Sequence, residues 1–148
     1  LSLAHVTFAN GAVASVVNSV LSPREESYLR FDFERATVEV THLYGYGDDD
    51  WRVTPTPGSE ADVTPAWKHA AGGGDGDAHS SHAAQFARVL AALRDGRRPP
   101  VTPSEARRTM ALIAGIYASA FTRRPVTPAD LAPPAAFYTA MNGGHEAW

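Results

Sequence analysis

A chain of 148 residues that is 44% apolar and 20% charged can build one ordinary globular core, and it lacks the charge bias of a disordered tail. A formal net charge of −3 leaves no excess of basic residues to point to nucleic acid or to an anionic membrane surface. The chain has no cysteine, which excludes disulfides, zinc–thiolate centres and a thiol nucleophile and reads as a cytoplasmic protein. No apolar run is long enough to span a bilayer, and no signal peptide is visible. Leu1 already lies in a strand-like pattern and is not methionine, which reads as a piece cut from a longer protein.

The first half has period two. Ala4, Val6 and Phe8 share one face, Asn10-Gly11 follows, and a second alternating run begins at Ala12. An Asn-Gly pair between two such runs predicts a hairpin with a type I′ turn. Residues 27–34 alternate as well, with Leu29, Phe31 and Phe33 pointing one way and Tyr28, Arg30 and Asp32 the other. A turn at Glu34-Arg35-Ala36 leads into a fourth run over 37–43. Four strands in hairpin succession predict an antiparallel sheet with one apolar and one mixed face. Tyr28 and Arg30, with Val17 a further candidate, mark the mixed face. Aromatic and arginine side chains there suit an interface, against the plainer reading of a solvated face.

From Tyr44 to Ala78 the pattern dissolves into glycine, proline and aspartate, with a short strand at Trp51-Arg52-Val53. Trp51 and Trp67 are large apolar rings in polar surroundings, placed either to anchor this loop or to line a pocket. Asp48-Asp49-Asp50 is an acidic turn that solvent satisfies as readily as a hard cation would. His79 and His82 lie three apart beside Asp75 and Asp77, but this spacing alone favours a polar helix start over a metal centre. The GGGDGD run is neither a phosphate loop nor a GxGxxG fingerprint, since no strand runs into it and no lysine follows.

The second half has helical period. Phe86, Val89, Leu90 and Leu93 fall at i, i+3, i+4 and i+7, with Ser80 or Ser81 as the cap and Gly96 as a left-handed exit. Thr102-Pro103-Ser104-Glu105 predicts a capping box with proline at the first helical position. The helix it opens carries Met110, Ile113, Ala114, Tyr117 and Phe121 on one stripe. Thr127-Pro128-Ala129-Asp130 repeats the device, and a short third helix over 135–141 follows. The expected architecture is a single α+β domain, an open antiparallel sheet with helices on its apolar face. No residues assemble a catalytic constellation.

The stretch HAAQFARVLAALRDGRRPPVTPSEARRTMALIAGIYASAFTRRPV resembles the closing segment of the glucose–fructose oxidoreductase/inositol dehydrogenase/MocA (Gfo/Idh/MocA) family. Its pattern of His82, Gln85, Phe86, Gly96, Pro100, Tyr117, Ser119, Pro125 and Val126 carries the resemblance, and VTFANGAVASVVNS is similar to the family's early strand pair. The resemblance implies the C-terminal domain of an NAD(P)-dependent oxidoreductase acting on a sugar, cyclitol or related polyol. A Rossmann domain preceding Leu1 would bind NAD or NADP, and hydride would pass between a substrate carbinol carbon and the nicotinamide. No catalytic residue transfers to this chain, and no metal site is implied. Arg24, Trp67, His79 and His82 become candidate substrate contacts. Tyr28 and Arg30 become part of a homo-oligomer interface, dimer or tetramer, on the open sheet face. The rival reading is a stand-alone, non-catalytic α+β module that dimerises through its sheet and binds a ligand or a protein partner.

Overall fold

The structure is a computed structural model that describes residues 1–24, 26–41, 45–71 and 81–146. The fold is α+β. Its strands are β1 (Ser2–Thr7), β2 (Val13–Asn18), β3 (Tyr28–Asp32), β4 (Ala36–Thr41) and β5 (Trp51–Pro55). Its helices are α1 (Glu60–Ala71), α2 (His82–Arg94), α3 (Pro103–Thr122) and the single turn α4 (Ala136–Thr139). The strands form two antiparallel sheets, β1-β2 and β3-β4-β5, not the one continuous sheet expected. The connection between β2 and β3, residues 19–27, is too long for a tight turn and carries Pro23, which has no amide to give to a ladder. The chain divides into two compact units, Leu21–Asp95 and the pairing of Leu1–Val20 with Gly96–Trp148.

In the unit Leu21–Asp95, β4 is the central strand, and its alternation decides the two faces. Ala36, Val38 and Val40 are buried, with Val40 only 1% exposed, while Thr37, Glu39 and Thr41 point the other way. The register sets Leu29 and Trp51 beside Val40, and Phe31 and Val53 beside Val38. Trp51 on this apolar face meets Trp67 of α1 at 5.5 Å between ring centroids and Tyr46 at 5.9 Å, edge to face. The helix on this face was hidden in sequence, because Pro65 sits inside α1 and would cost an isolated helix about 3 kcal/mol. Its start is nevertheless well anchored. The Asp62 and Val63 amides donate to the Ser59 carbonyl, and the Arg35 guanidinium holds Asp62 at 2.7 Å. Arg35 also accepts the Thr56 amide at 2.9 Å, so the β3–β4 turn ties the connection into α1. Helix α2 begins at Ser81, whose hydroxyl accepts the Ala84 amide at 3.1 Å. Of its expected stripe, Phe86, Leu90 and Leu93 are exposed and Val89 is half-buried, and Ala92 is its buried residue.

In the other unit, the β1–β2 turn differs from the type I′ expectation. Phe8 and Ala12 close the hairpin, the Gly11 amide donates to the Phe8 carbonyl, and Gly11 takes the left-handed conformation (φ 85°) while Asn10 does not. This is a three-residue loop ending in a glycine bulge, with the Asn10 side chain accepting the Ala12 amide. Helix α3 starts with the expected capping box: the Thr102 amide donates to Glu105 at 2.9 Å, and the Glu105 amide reaches the Thr102 hydroxyl. Arg98 pairs with the same carboxylate. The Thr102 hydroxyl and amide, with Arg98, hold the Glu105 carboxyl at about 2. The second copy of the device opens a 3-10 turn (Pro128–Leu131), not a helix. There Asp130 accepts the Thr127 amide and hydroxyl and pairs with Arg124 at 2.7 Å, and together they hold its carboxyl well below the usual carboxylate range. The expected α3 stripe is corrected in part: Ala114 and Phe121 are half-buried as expected. Met110, Ile113 and Tyr117 are exposed, and the fully buried residue is Ala118, flanked by half-buried Ala114, Gly115, Ser119 and Thr122. The 3-10 turn lies against this side of α3, with Leu131 at ordinary van der Waals distance, 3.6 Å, from where a Cβ on Gly115 would stand. At the end of this unit the His145 ring stacks on both Phe121 and Phe137.

Two outcomes test this account. Glu105→Gln lowers the melting temperature at neutral pH. The gap to the parent chain closes as pH falls from about 4.5 towards about 2, because a carboxyl lowered on folding stabilises only while ionised. Arg123, which ends α3 in the left-handed conformation (φ 55°) without being glycine, stores strain. Arg123→Gly raises stability by about 0.5–1 kcal/mol, read from denaturant melts.

Candidate functional site

The second face of the three-stranded sheet is built from what β4 turns away from the core. Cross-strand register places Tyr28 opposite Thr41, Arg30 opposite Glu39, Asp32 opposite Thr37, and Arg52 on the far side of Glu39. The result is a polar row, Arg30-Glu39-Arg52, flanked by Tyr28 on one side and by Asp32 with Thr37 on the other. The Tyr28 hydroxyl donates to Glu39 diagonally at 2.6 Å. Arg30 pairs with Asp32 at 2.9 Å, and the Thr37 hydroxyl donates to the same carboxylate at 2.7 Å. Arg52 stands 4.0 Å from Glu39.

These contacts set the charge of the face. The hydrogen bond to Glu39 raises the Tyr28 phenol above its ordinary value, so it stays a neutral donor. The Thr37 hydroxyl and Arg30 lower the Asp32 carboxyl, so it stays an acceptor, and Asp32 in turn raises Arg30. Each of these three shifts takes the group's titration further from pH 7, so the pattern of charge is steady where a general acid or base would have to change it. Every member is solvent-accessible, and each exposed ion pair adds little stability. The face is chemically a flat, pre-organised hydrogen-bonding surface. It is suited to holding a polar ligand or the surface of another molecule and has no nucleophile–base pair.

The expected interface residues Tyr28 and Arg30 therefore lie together on one face. The expected substrate contacts are not gathered in this way. Arg24 is exposed and pairs with its near neighbour Glu26 at 2.8 Å. Trp67 is half-buried against Trp51 on the opposite, apolar face of the sheet, which gives its ring an anchoring task. His82 is the exposed first residue of α2. His79, with Asp75 and Asp77, lies outside the described residues. No hydrogen bond, ion pair or ring contact among the described residues joins Arg24, Trp67 and His82 to one another. Of the acidic turn, Asp50 has a structural role: its carboxylate accepts the Gly47 amide at 2.8 Å and caps the 3-10 turn (Asp48–Asp50). Among the described residues no cluster of three histidine, aspartate or glutamate side chains could hold a metal ion, and no helix is long and apolar enough to cross a membrane.

Tyr28 and Arg30 stand out in the sequence, whereas Glu39, Thr37 and Arg52, which complete the network, do not. Glu39 was legible as an outward residue of its strand. Its role depends on register across two strand pairs, which no single run reveals. Comparisons with family models, with curated proteins and with solved structures return no match to this chain.

The network makes one direct prediction. In Glu39→Ala the Tyr28 phenol loses its acceptor, and its titration falls back towards 10.0, followed by NMR of the tyrosine ring. An unchanged Tyr28 titration would show that the hydrogen bond is not formed in solution.

Proposed function

We propose that this chain is the substrate-side and oligomerisation domain of a cytoplasmic NAD(P)-dependent oxidoreductase of the Gfo/Idh/MocA type, acting on a sugar, cyclitol or related polyol. The single observation that carries the reading is the ordered pattern from His82 to Val126, which resembles that family's closing segment. The local conformations of that pattern are compatible with it. Ser81 caps the first helix, Gly96 provides the left-handed exit (φ 63°), and Thr102 with Glu105 opens the second. In this reading the cofactor, NAD or NADP, belongs to a preceding Rossmann domain, which supplies the hydride acceptor. This chain contributes recognition. The polar sheet face with Tyr28 and Arg30 meets a second subunit, and Arg24, Trp67, His79 and His82 are the candidates for substrate contact, since polyol hydroxyls need donors and acceptors beside flat apolar surface.

The test has two arms. The gene upstream of the Leu1 codon should encode a strand–GxGxxG–helix start, and the protein containing it should reduce NAD(P) with a polyol, read from nicotinamide absorbance. Residues 1–148 alone, titrated with NADH, should leave cofactor fluorescence unchanged. Tight binding of NADH by this chain, or a start codon at its first residue, would overturn the reading in favour of a stand-alone binding module.

A further inference from the structure

The two sheets of the described residues have four outer strand edges, and they are not alike. An unpaired edge is a template for another strand, and proteins usually guard it with charge, proline or a bulge. In the three-stranded sheet the guards are present: β3 carries Arg30 and Asp32, and β5 carries Arg52, ends in Pro55 and has α1 packed beside it. The β1–β2 hairpin has none along its strands, since its glycine bulge lies in the turn. Residues 1–23 contain no aspartate, glutamate, lysine or arginine, and β1 and β2 contain no proline. Two strands alone are also marginal as a sheet and need more strands or a packed face.

The hairpin's hydrogen-bond phase shows what the β1 edge presents. The Phe8 amide bonds to Ala12, so the alternation makes Val6 with Ala14 and Ala4 with Val16 the hydrogen-bonded pairs. Leu3, His5 and Thr7 then turn their amides and carbonyls outward, and none of them has a backbone hydrogen bond to another described element. Leu3, Val13 and Val17, on the face that His5 shares, are 71%, 67% and 61% exposed.

We propose that the β1 edge pairs with the β1 edge of a second copy of this chain, antiparallel about His5, giving a four-stranded sheet in the order β2-β1-β1-β2. Charge favours a second copy as the occupant. An antiparallel two-fold sets each residue against its own counterpart or a near neighbour, so any charge at the centre meets its like. A strand free of fixed charge is the kind that can face itself without that penalty. The alignment about His5 is the one that engages all three outward residues of each copy, with Leu3 opposite the second copy's Thr7. This pairing uses the hairpin edge, not the Tyr28 and Arg30 face, and does not rest on the oxidoreductase reading.

Sedimentation velocity on the full chain over a wide concentration range tests it. The expected result is a concentration-dependent monomer–dimer equilibrium. Thr7→Pro removes only an outward amide, and His5→Lys sets two ammonium groups against each other across the axis. Each should weaken the dimer at least about tenfold with far-ultraviolet circular dichroism unchanged. Should Thr7→Pro disturb the hairpin, residue-resolved hydrogen exchange on the unmodified chain decides instead. The amides of Leu3, His5 and Thr7 should exchange more slowly as concentration rises. A monomer at every concentration, assembly past the dimer that persists in Arg30→Glu, or exchange independent of concentration would overturn the proposal. So would a dimer lost in Arg30→Glu and unaffected by His5→Lys, which would assign assembly to the polar sheet face.

Discussion

A carboxylate that reaches back one turn to a backbone amide is the interaction on which the ordering of this chain most depends. It occurs at Gly47 with Asp50, at Thr102 with Glu105 and at Thr127 with Asp130. Each follows a stretch rich in proline, glycine or arginine and sets where the next helical turn begins. The last two belong to one recurring phrase, Arg-Arg-Pro-Pro-Val-Thr-Pro-Ser-Glu and Arg-Arg-Pro-Val-Thr-Pro-Ala-Asp, and in both the second arginine closes on the capping acid. The outcome still differs. The first phrase opens a helix of 20 residues and the second a 3-10 turn of 4. A cap satisfies the first amides of whatever follows and orients it, but length depends on what comes after. After Glu105 the chain offers alanine, methionine, leucine and isoleucine. After Asp130 it soon offers Pro133 and Pro134.

The three-stranded sheet shows a second constraint, the period of two. Because Val38 and Val40 must go inside, Glu39 must go outside, and with it Tyr28, Arg30, Asp32, Thr37 and Arg52. The candidate site is thus the obligatory reverse side of the core. Its polar groups satisfy one another before any ligand arrives, so the face holds its shape and charge at little entropic cost to a binding partner. The apolar side is only partly covered. Val40 is sealed, but Leu29 and Phe31 on the edge strand and Phe33 in the turn after it remain exposed.

Several features were legible in the chain because they are set within a few residues. The alternation of β3 and β4, the Ser81 cap, the Gly96 exit and the Thr102 capping box all depend on neighbours one to four positions away. Other features needed more distant groups. Helix α1 contains Pro65 and reads as a broken segment, yet it forms where Trp67 meets Trp51 and Arg35 meets Asp62. The Ser59-Glu60-Ala61-Asp62 start was the signal that could have revealed it. Asn10-Gly11 marks the place of the first turn but not its geometry, because a two-residue and a three-residue loop share that dipeptide and only strand register separates them.

The amino-acid sequence alone determined the α+β class, the alternating faces of the strands and the starts of the capped helices. These follow from side-chain periodicity and from local competition for backbone amides. Only the tertiary structure decided that the strands divide into two sheets, that Glu39 unites Tyr28 with the arginine row, and that α3 buries its alanine and glycine side while Met110 and Tyr117 stay exposed. The physical reason is that a helix or strand offers more than one surface of comparable apolarity. Which one is buried depends on how closely a distant segment can approach, and small residues such as Gly115 and Ala118 permit an approach that larger side chains block.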